Sequence, residues 1–302
     1  MHFNRSRANE SFKILRNRRS YLKSPMKLPS RQVFLNILNF SINRNFRETC
    51  RMFVAIVQAR VGSTRLPNKV MGKVLGKPLI GLLLERLSLS KHISKIILAT
   101  TEKKEDEPLV EYVTSMGYSV FRGSENDVLG RYYHAFKSIE SQNSEIRGIV
   151  RITGDCPLFE AHICDRLIDL FIDRKLDHGY LSDKFAEGLD CDVFTPSILE
   201  QAFFKAVSDF EREHVTQFFK KIDYAKVEML ENDRDDSKYR ITVDEKCDFE
   251  LIKYIIESLV SQDKALSFNN VRQLLEDNPN EYAINSKVIR NEGLKISLAR
   301  EE

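Results

Sequence analysis

"MFVAIVQARVGSTRLPNKV", residues 52–70, decides how the rest of the chain is read. Its first half, Phe53 to Gln58, is a continuous apolar run of strand length, the pattern of a strand covered on both faces. Its second half gathers Arg60, Arg65 and Lys69 within ten residues on a Gly-Ser-Thr turn. Successive backbone N–H groups on such a turn, here around Gly62 and Ser63, form an anion nest, and neighbouring cations add charge-assisted hydrogen bonds. At the carboxyl end of the first strand of an α/β sheet, this is the usual position of a phosphate chain. The stretch fits neither G-x-x-x-x-G-K-[ST] nor G-x-G-x-x-G. A solvated basic loop is the competing reading.

Outward from this stretch the pattern alternates. "KIILATT" (95–101), "YSVFRG" (118–123) and "GIVRITGD" (148–155) read as buried strands. Between and after them, residues 78–90, 106–116, 127–139 and 162–174 repeat their apolar positions at helical spacing. Such alternation predicts an α/β fold with a mostly parallel sheet and right-handed crossovers. Ligands then sit at the carboxyl ends of the strands, which singles out Ala59–Lys69, Thr100–Asp106 and Thr153–Asp155. Beyond Asp177, short strands at 178–183, 190–195, 225–230 and 239–244 alternate with helices at 196–206 and 210–221. They predict a mixed, partly antiparallel extension. Helices at 247–259 and 268–277 close the fold, and the polar tail from Pro279 reads as peripheral.

The 302 residues, 42% hydrophobic and 30% charged, suffice for one large α/β domain or two small ones with a full core. Residues 1–51 carry 12 Lys and Arg against 2 Asp and Glu, whereas residues 52–302 carry 35 against 42. The folded part is therefore mildly acidic, and the overall charge of +3 is no sign of a nucleic-acid partner. Five scattered cysteines without a C-x-x-C pair suggest neither a zinc site nor a disulfide framework, and a reducing, cytoplasmic location fits. The apolar stretch at 33–40 is too short and polar to cross a bilayer. The basic segment 1–51 reads as a mis-assigned start, a disordered arm or a transit peptide, because Met52 begins a strand at once. The expected organisation is this extension, a main domain over 52–260, and a helix and polar tail over 261–302.

Two aspartates end strand-like runs: Asp155 in "RITGDCPL" and Asp244 in "YRITVDEKCDFELIK". Each alone is most often a helix cap. Together they suit Mg²⁺, which takes one or two carboxylates and completes its shell with phosphate oxygens and water. Without a metal, two carboxylates that close would repel. Only the fold can pair residues so far apart in the chain.

The ordered stretches "VQARVGSTRLPNKVM", "GSENDVLGRYYHA", "RITGDCPL", "GLDCDVF", "REHVT" and "ITVDEKCDFELI" carry a resemblance. Over about Met52–Leu259 the chain resembles the spore coat polysaccharide biosynthesis protein F family. That family is grouped with the cytidylyltransferases that activate 3-deoxy-manno-octulosonate and acylneuraminates. The resemblance implies a Rossmann-like nucleotide-diphospho-sugar transferase fold, a mostly parallel mixed sheet flanked by helices. It implies a Mg²⁺-dependent nucleotidyltransferase that moves CMP from CTP to an acidic sugar for surface glycan synthesis, releasing pyrophosphate. By matching position, Arg60, Gly62, Ser63, Arg65 and Lys69 resemble the triphosphate cradle, with Arg60, Lys69 and Asp155 as the catalytic set. Thr100, Asp127 and Arg131 resemble the rest of the nucleotide site, and Asp155 and Asp244 the magnesium ligands. Asp190, Arg212, Glu213 and His214 resemble acceptor-side contacts, although Glu213 and His214 could equally cap and pack a helix. "YLSDKFAEG" (180–188) is shorter than the family's usual approach to its Gly-Leu-Asp, which bears on the acceptor. A homodimer is also expected, with no nucleic-acid or membrane partner. The competing readings are another nucleoside triphosphate with a sugar phosphate, or a non-catalytic sugar-nucleotide-binding protein.

Overall fold

The computed structural model describes residues 53–140 and 146–299; the readings of the basic segment 1–51 lie outside them. Strand β1 (Phe53–Gln58) sits at the centre, hydrogen-bonded in parallel to β4 (Ile93–Thr101) on one side and β6 (Gly148–Thr153) on the other. Its side chains alternate with period two, and both faces are apolar. Phe53, Ala55 and Val57 enter one core, while Val54 and Ile56 enter the other. This is why the run reads as continuously hydrophobic.

The seven-stranded sheet has the order β5-β4-β1-β6-β8-β7-β9, with β5 Ser119–Gly123, β7 His178–Leu181, β8 Asp192–Phe194 and β9 Val227–Leu230. Only β8 runs antiparallel to its neighbours. A two-stranded hairpin, β2 (Lys73–Val74) and β3 (Lys77–Pro78), follows the cationic loop.

Helices α1 (Leu79–Leu87), α2 (Glu107–Ser115), α4 (Ala161–Arg174), α7 (Lys246–Ser261) and α8 (Phe268–Asp277) cover the first face. The second is covered by α3 (Val128–Glu140) and α5 (Pro196–Lys205). Helix α1 shows the economy of the pattern: Leu79, Ile80, Leu83, Leu84 and Leu87 are all fully buried. Truncating one of them, as in Leu83→Ala, costs about 2–5 kcal/mol.

Three expectations change. Residues 239–244 form no strand. They run extended, with one isolated bridge from Glu187 to Arg240, and Val243 N–H donates to the Asp155 carbonyl. The helix expected over 210–221 stops early: α6 (Asp209–His214) ends where Val215 adopts φ 48°, and a 3₁₀ turn follows at Phe218–Lys221. A β-branched residue in that conformation is an outlier. Finally, the tail is not peripheral. It folds into the short helices α9 (Pro279–Tyr282) and α10 (Glu292–Leu298), and α10 lies along the cleft described next.

Candidate active site

The loop after β1 is held from below. Asp106, fully buried, accepts hydrogen bonds from Val61 N (2.6 Å), Thr100 Oγ1 (2.9 Å), Thr101 N (3.1 Å) and the Thr101 hydroxyl. Burial would raise its pKa, but these four donors outweigh it and hold the carboxyl below its ordinary value. Asn68 turns the loop back at φ 61°, with Ser63 and Asn68 N–H both donating to the Val61 carbonyl. Ser63, Arg65 and Lys69 are thereby presented over the strand ends. Gly62 passes close to the Glu105 carboxylate, which a Cβ there would meet at 2.4 Å.

At the centre, Lys69 Nζ lies 2.9 Å from Asp155 Oδ2 and 2.8 Å from Asp244 Oδ1. Two oxygens that close to one nitrogen are necessarily close to each other, as a shared cation requires. Burial would lower the Lys69 pKa, yet the two carboxylates overcome it and the net shift is upward. Asp155 is likewise raised by burial but held down by the ammonium, with a net lowering. The repulsion expected between the carboxylates is thus relieved within the protein: Lys69 occupies the position between them.

Asp244 is fixed from behind. Arg240, buried, donates to Asp248 through Nε and Nη2 (2.9 Å each), to Asp244 Oδ2 through Nη2 (2.9 Å) and to Glu187 through Nη1 (2.7 Å). Its pKa is raised because these carboxylates outweigh burial. Asp248 also accepts the Asp244 and Glu245 N–H groups at the start of α7, and Asn285 from the tail donates to it at 2.8 Å. Gly188, at φ 105°, lies against the Ile241–Thr242 backbone, where a Cβ would come within 2.6 Å.

Three cavities join along the carboxyl edge of the sheet. One of about 390 Å³ is lined by Ser63, Arg65, Lys69, Asp155 and Asp244. Another, about 540 Å³, opens beside Gln58, Arg60, Asn126, Arg131 and Phe210. The third, about 370 Å³, lies beyond Asp155 and is lined by Arg151, Tyr180, Asp190, His214 and Thr242. Glu213 borders all three, and Ser297 of α10 donates to it at 3.1 Å. Arg65 contacts Asp244 (3.0 Å), Glu245 (3.5 Å) and Glu292 of α10 (3.2 Å).

The sequence model of the cytidylyltransferase family matches residues 54–270. The chain belongs to that family. It is 31% identical over 232 residues to the spore coat polysaccharide biosynthesis protein SpsF of Bacillus subtilis, covering 74% of this chain and 94% of that one. A 3-deoxy-manno-octulosonate cytidylyltransferase of Thermodesulfovibrio yellowstonii is 27% identical over 157 residues, 50% of this chain and 59% of its own. Among solved structures, a cytidylyltransferase from Leptospira borgpetersenii superposes with a TM-score of 0.70 at 34% identity, covering 79% of this chain and 99% of that one.

Within this cytidylyltransferase the expected residues divide. Arg60, Ser63, Arg65, Lys69, Arg131, Asp155, Asp190, Glu213, His214 and Asp244 all border the joined cavities. Gly62, Thr100, Asp127 and Arg212 border none of the three. Thr100 is buried and spends its hydroxyl on Asp106. Asp127 caps α3 through Gly130 N (2.8 Å) and receives both Nε and Nη2 of Arg212. Arg212 also donates to the Phe203 carbonyl (2.8 Å) and stacks over that ring. These two tie the start of α3 to α6. The sequence reading did not pick out Arg240, although its spacing to Asp244 and Asp248, four and eight residues on, is visible in "YRITVDEKCD". It also passed over Arg151, Asp192 and Glu292.

Proposed function

We propose that this enzyme transfers CMP from CTP to a hydroxyl of an acidic sugar, giving a CMP-sugar for surface glycan synthesis and releasing pyrophosphate. The observation that carries the reading is the Asp155–Lys69–Asp244 cluster where the central cavity meets the one beyond Asp155, with the cationic loop on one side. The cavity beside Gln58 and Arg131 takes the nucleoside, the central one the triphosphate, and the one beyond Asp155 the acceptor.

Ser63, Arg65 and Lys69 bind the triphosphate, their charge and N–H groups drawing negative charge away from the α-phosphorus. For Lys69 this means leaving the two carboxylates for the phosphate chain. Asp155 and Asp244 then suit Mg²⁺, being hard oxygen donors in the small number that magnesium needs beside phosphate oxygens and water. When bound, the ion supplies Lewis-acid charge neutralisation at the phosphates. The acceptor hydroxyl attacks the α-phosphorus in line, a P–O bond forms as the bond to pyrophosphate breaks, and the hydroxyl proton leaves toward the carboxylates. Positioning and charge account for most of the rate.

Among the described residues no helix is long and apolar enough to cross a membrane, and Cys156, Cys164, Cys191 and Cys247 are free thiols. Both accord with a cytoplasmic enzyme drawing on the CTP pool. The expected homodimer belongs to the same proposal, and light scattering of the purified chain checks it.

Pyrophosphate release, assayed with CTP, UTP, ATP and GTP against sugar acids, sugar phosphates and neutral sugars, tests the reading. It should appear with CTP and a sugar acid. Release only with another nucleotide and a sugar phosphate, or with no pair, would overturn it.

A further inference from the structure

Arg151 lies on β6, directly opposite Asp192 of the antiparallel strand β8. Its Nη1 donates to Asp192 Oδ2 at 3.1 Å, and the other oxygen of Asp192 lies 2.9 Å from His178 Nε2 on β7. The antiparallel pairing builds this row, since neighbours on one face of adjacent strands are within side-chain reach. A guanidinium carries five N–H donors. Arg151 uses one of them on a protein partner, and its Nε is buried with no hydrogen-bond partner. A buried donor left unmet is costly, and the cost is relieved when an anion arrives. Of the three joined cavities the side chain borders one only, the compartment beyond Asp155.

We infer that Arg151 is the specificity-determining residue that grips the carboxylate of the acceptor, oriented by the Asp192–His178 pair behind it. This rests on the reading of that compartment as the acceptor site. The other arginines that border it are already committed. Arg65 meets Asp244, Glu245 and Glu292, and Arg240 meets Glu187, Asp244 and Asp248. His214 lies 3.8 Å from Glu213. Of the arginines that border the compartment, Arg151 is therefore the one with donors to offer an incoming anion. The planar fork matches a planar carboxylate in shape. A singly charged group is also favoured over a phosphate dianion, because Asp155 and Asp190 border the same compartment and repel added negative charge. Arg151 thus supplies attraction for one charge, and the surrounding aspartates discriminate against two.

The test is equilibrium binding, which needs no turnover. Calorimetry measures 3-deoxy-manno-octulosonate, N-acetylneuraminate, the carboxamide of each, and glucose 1-phosphate against the wild type, Arg151→Met and Arg151→Lys. CTP is titrated separately. The wild type should bind at least one sugar acid more tightly than its uncharged amide. Arg151→Met should bind that acid on the order of ten- to a hundredfold more weakly, with the acid–amide preference gone and CTP affinity unchanged. Arg151→Lys keeps the charge but loses the fork, so it should fall between the two. It also carries the test should the methionine variant fail to fold. Equal binding of acid and amide by the wild type, an unchanged preference in both variants, or tight binding of glucose 1-phosphate with neither acid bound would overturn the inference. So would a loss of CTP affinity in Arg151→Met matching the loss for the acid, since Arg151 would then serve the nucleotide. A wild type that binds a sugar acid through Arg151 but does not bind CTP would instead break the proposed function and leave this assignment standing.

Discussion

Asp106 and Asp155 follow β4 and β6, the two parallel strands that flank β1, and they lead different lives. Asp106 is fully buried and its oxygens are taken up by four donors, three from the end of β4 and one from the loop after β1. Asp155 borders the cleft and faces the Lys69 ammonium, which it shares with Asp244. A carboxylate satisfied by local backbone and hydroxyl groups fixes a shape and has nothing left to offer. One balanced chiefly by a neighbouring ammonium at the edge of a cavity can exchange that partner for a ligand. The contrast extends to the two walls of the cleft. The wall proposed to face the nucleotide hangs from the neighbouring parallel strands β1 and β6, whereas the wall proposed to face the acceptor is assembled from β7, β8, the extended residues 239–244 and the tail.

The largest effect should come from the clamp of the acceptor wall. Arg240 is buried among Glu187, Asp244 and Asp248, so Arg240→Met leaves Glu187 and Asp248 without their cation and Asp244 with Lys69 and Arg65 only. A loss of about 3–5 kcal/mol in unfolding free energy is expected by chemical denaturation. A loss below about 1 kcal/mol would mean that the wall stands without its clamp.

Asp155→Asn should separate function from fold. Turnover is expected to fall on the order of 10²–10³, while the melting temperature drops only slightly as Lys69 keeps Asp244. Repulsion between two carboxylates with no cation between them would instead leave the variant as stable as the wild type or slightly more so, and a rise in melting temperature would favour that picture.

Asp106→Asn probes the other member of the comparison. Losing the buried charged acceptor should cost about 1–3 kcal/mol at pH 7. The Asp106 pKa is depressed in the fold. Its contribution is therefore complete above the unfolded value, about 3.9, and fades as pH falls through the lower folded value. The gap between wild type and variant should hold from pH 7 to about 5 and narrow below about 4. A gap constant down to pH 2 would contradict the charged role.

These two walls also differ in how far the sequence disclosed them. Strands β1, β4, β5 and β6 and helices α1 to α4 were legible because both faces of a central parallel strand are apolar and each helix repeats its buried positions. The cationic loop was legible because its cations are neighbours in sequence. The acceptor wall was not. "YRITVD" alternates like a strand, but it lies between the Asp155 and Glu187 segments, which are themselves loops, and so pairs irregularly. Asp127 and Arg212 lie 85 residues apart, and nothing in either stretch says that they satisfy each other. Arg151 and Asp192 meet only through an antiparallel register that the sequence leaves open. The tail looked dispensable because its polar residues reach inward, Asn285 to Asp248 and Glu292 to Arg65.

The exchange of Lys69 for a metal at the carboxylate pair is the centre of the account, and Mg²⁺-dependent CTP binding tests it most directly. CTP affinity would be measured by calorimetry with and without Mg²⁺, for the wild type and for the Asp155→Asn, Asp244→Asn double variant. The wild type should bind CTP more tightly with Mg²⁺ present. The double variant should retain metal-free CTP binding through Arg65 and Lys69, with no gain from the ion. An equal gain from Mg²⁺ in both proteins would contradict the account, because the metal would then be held without the two carboxylates.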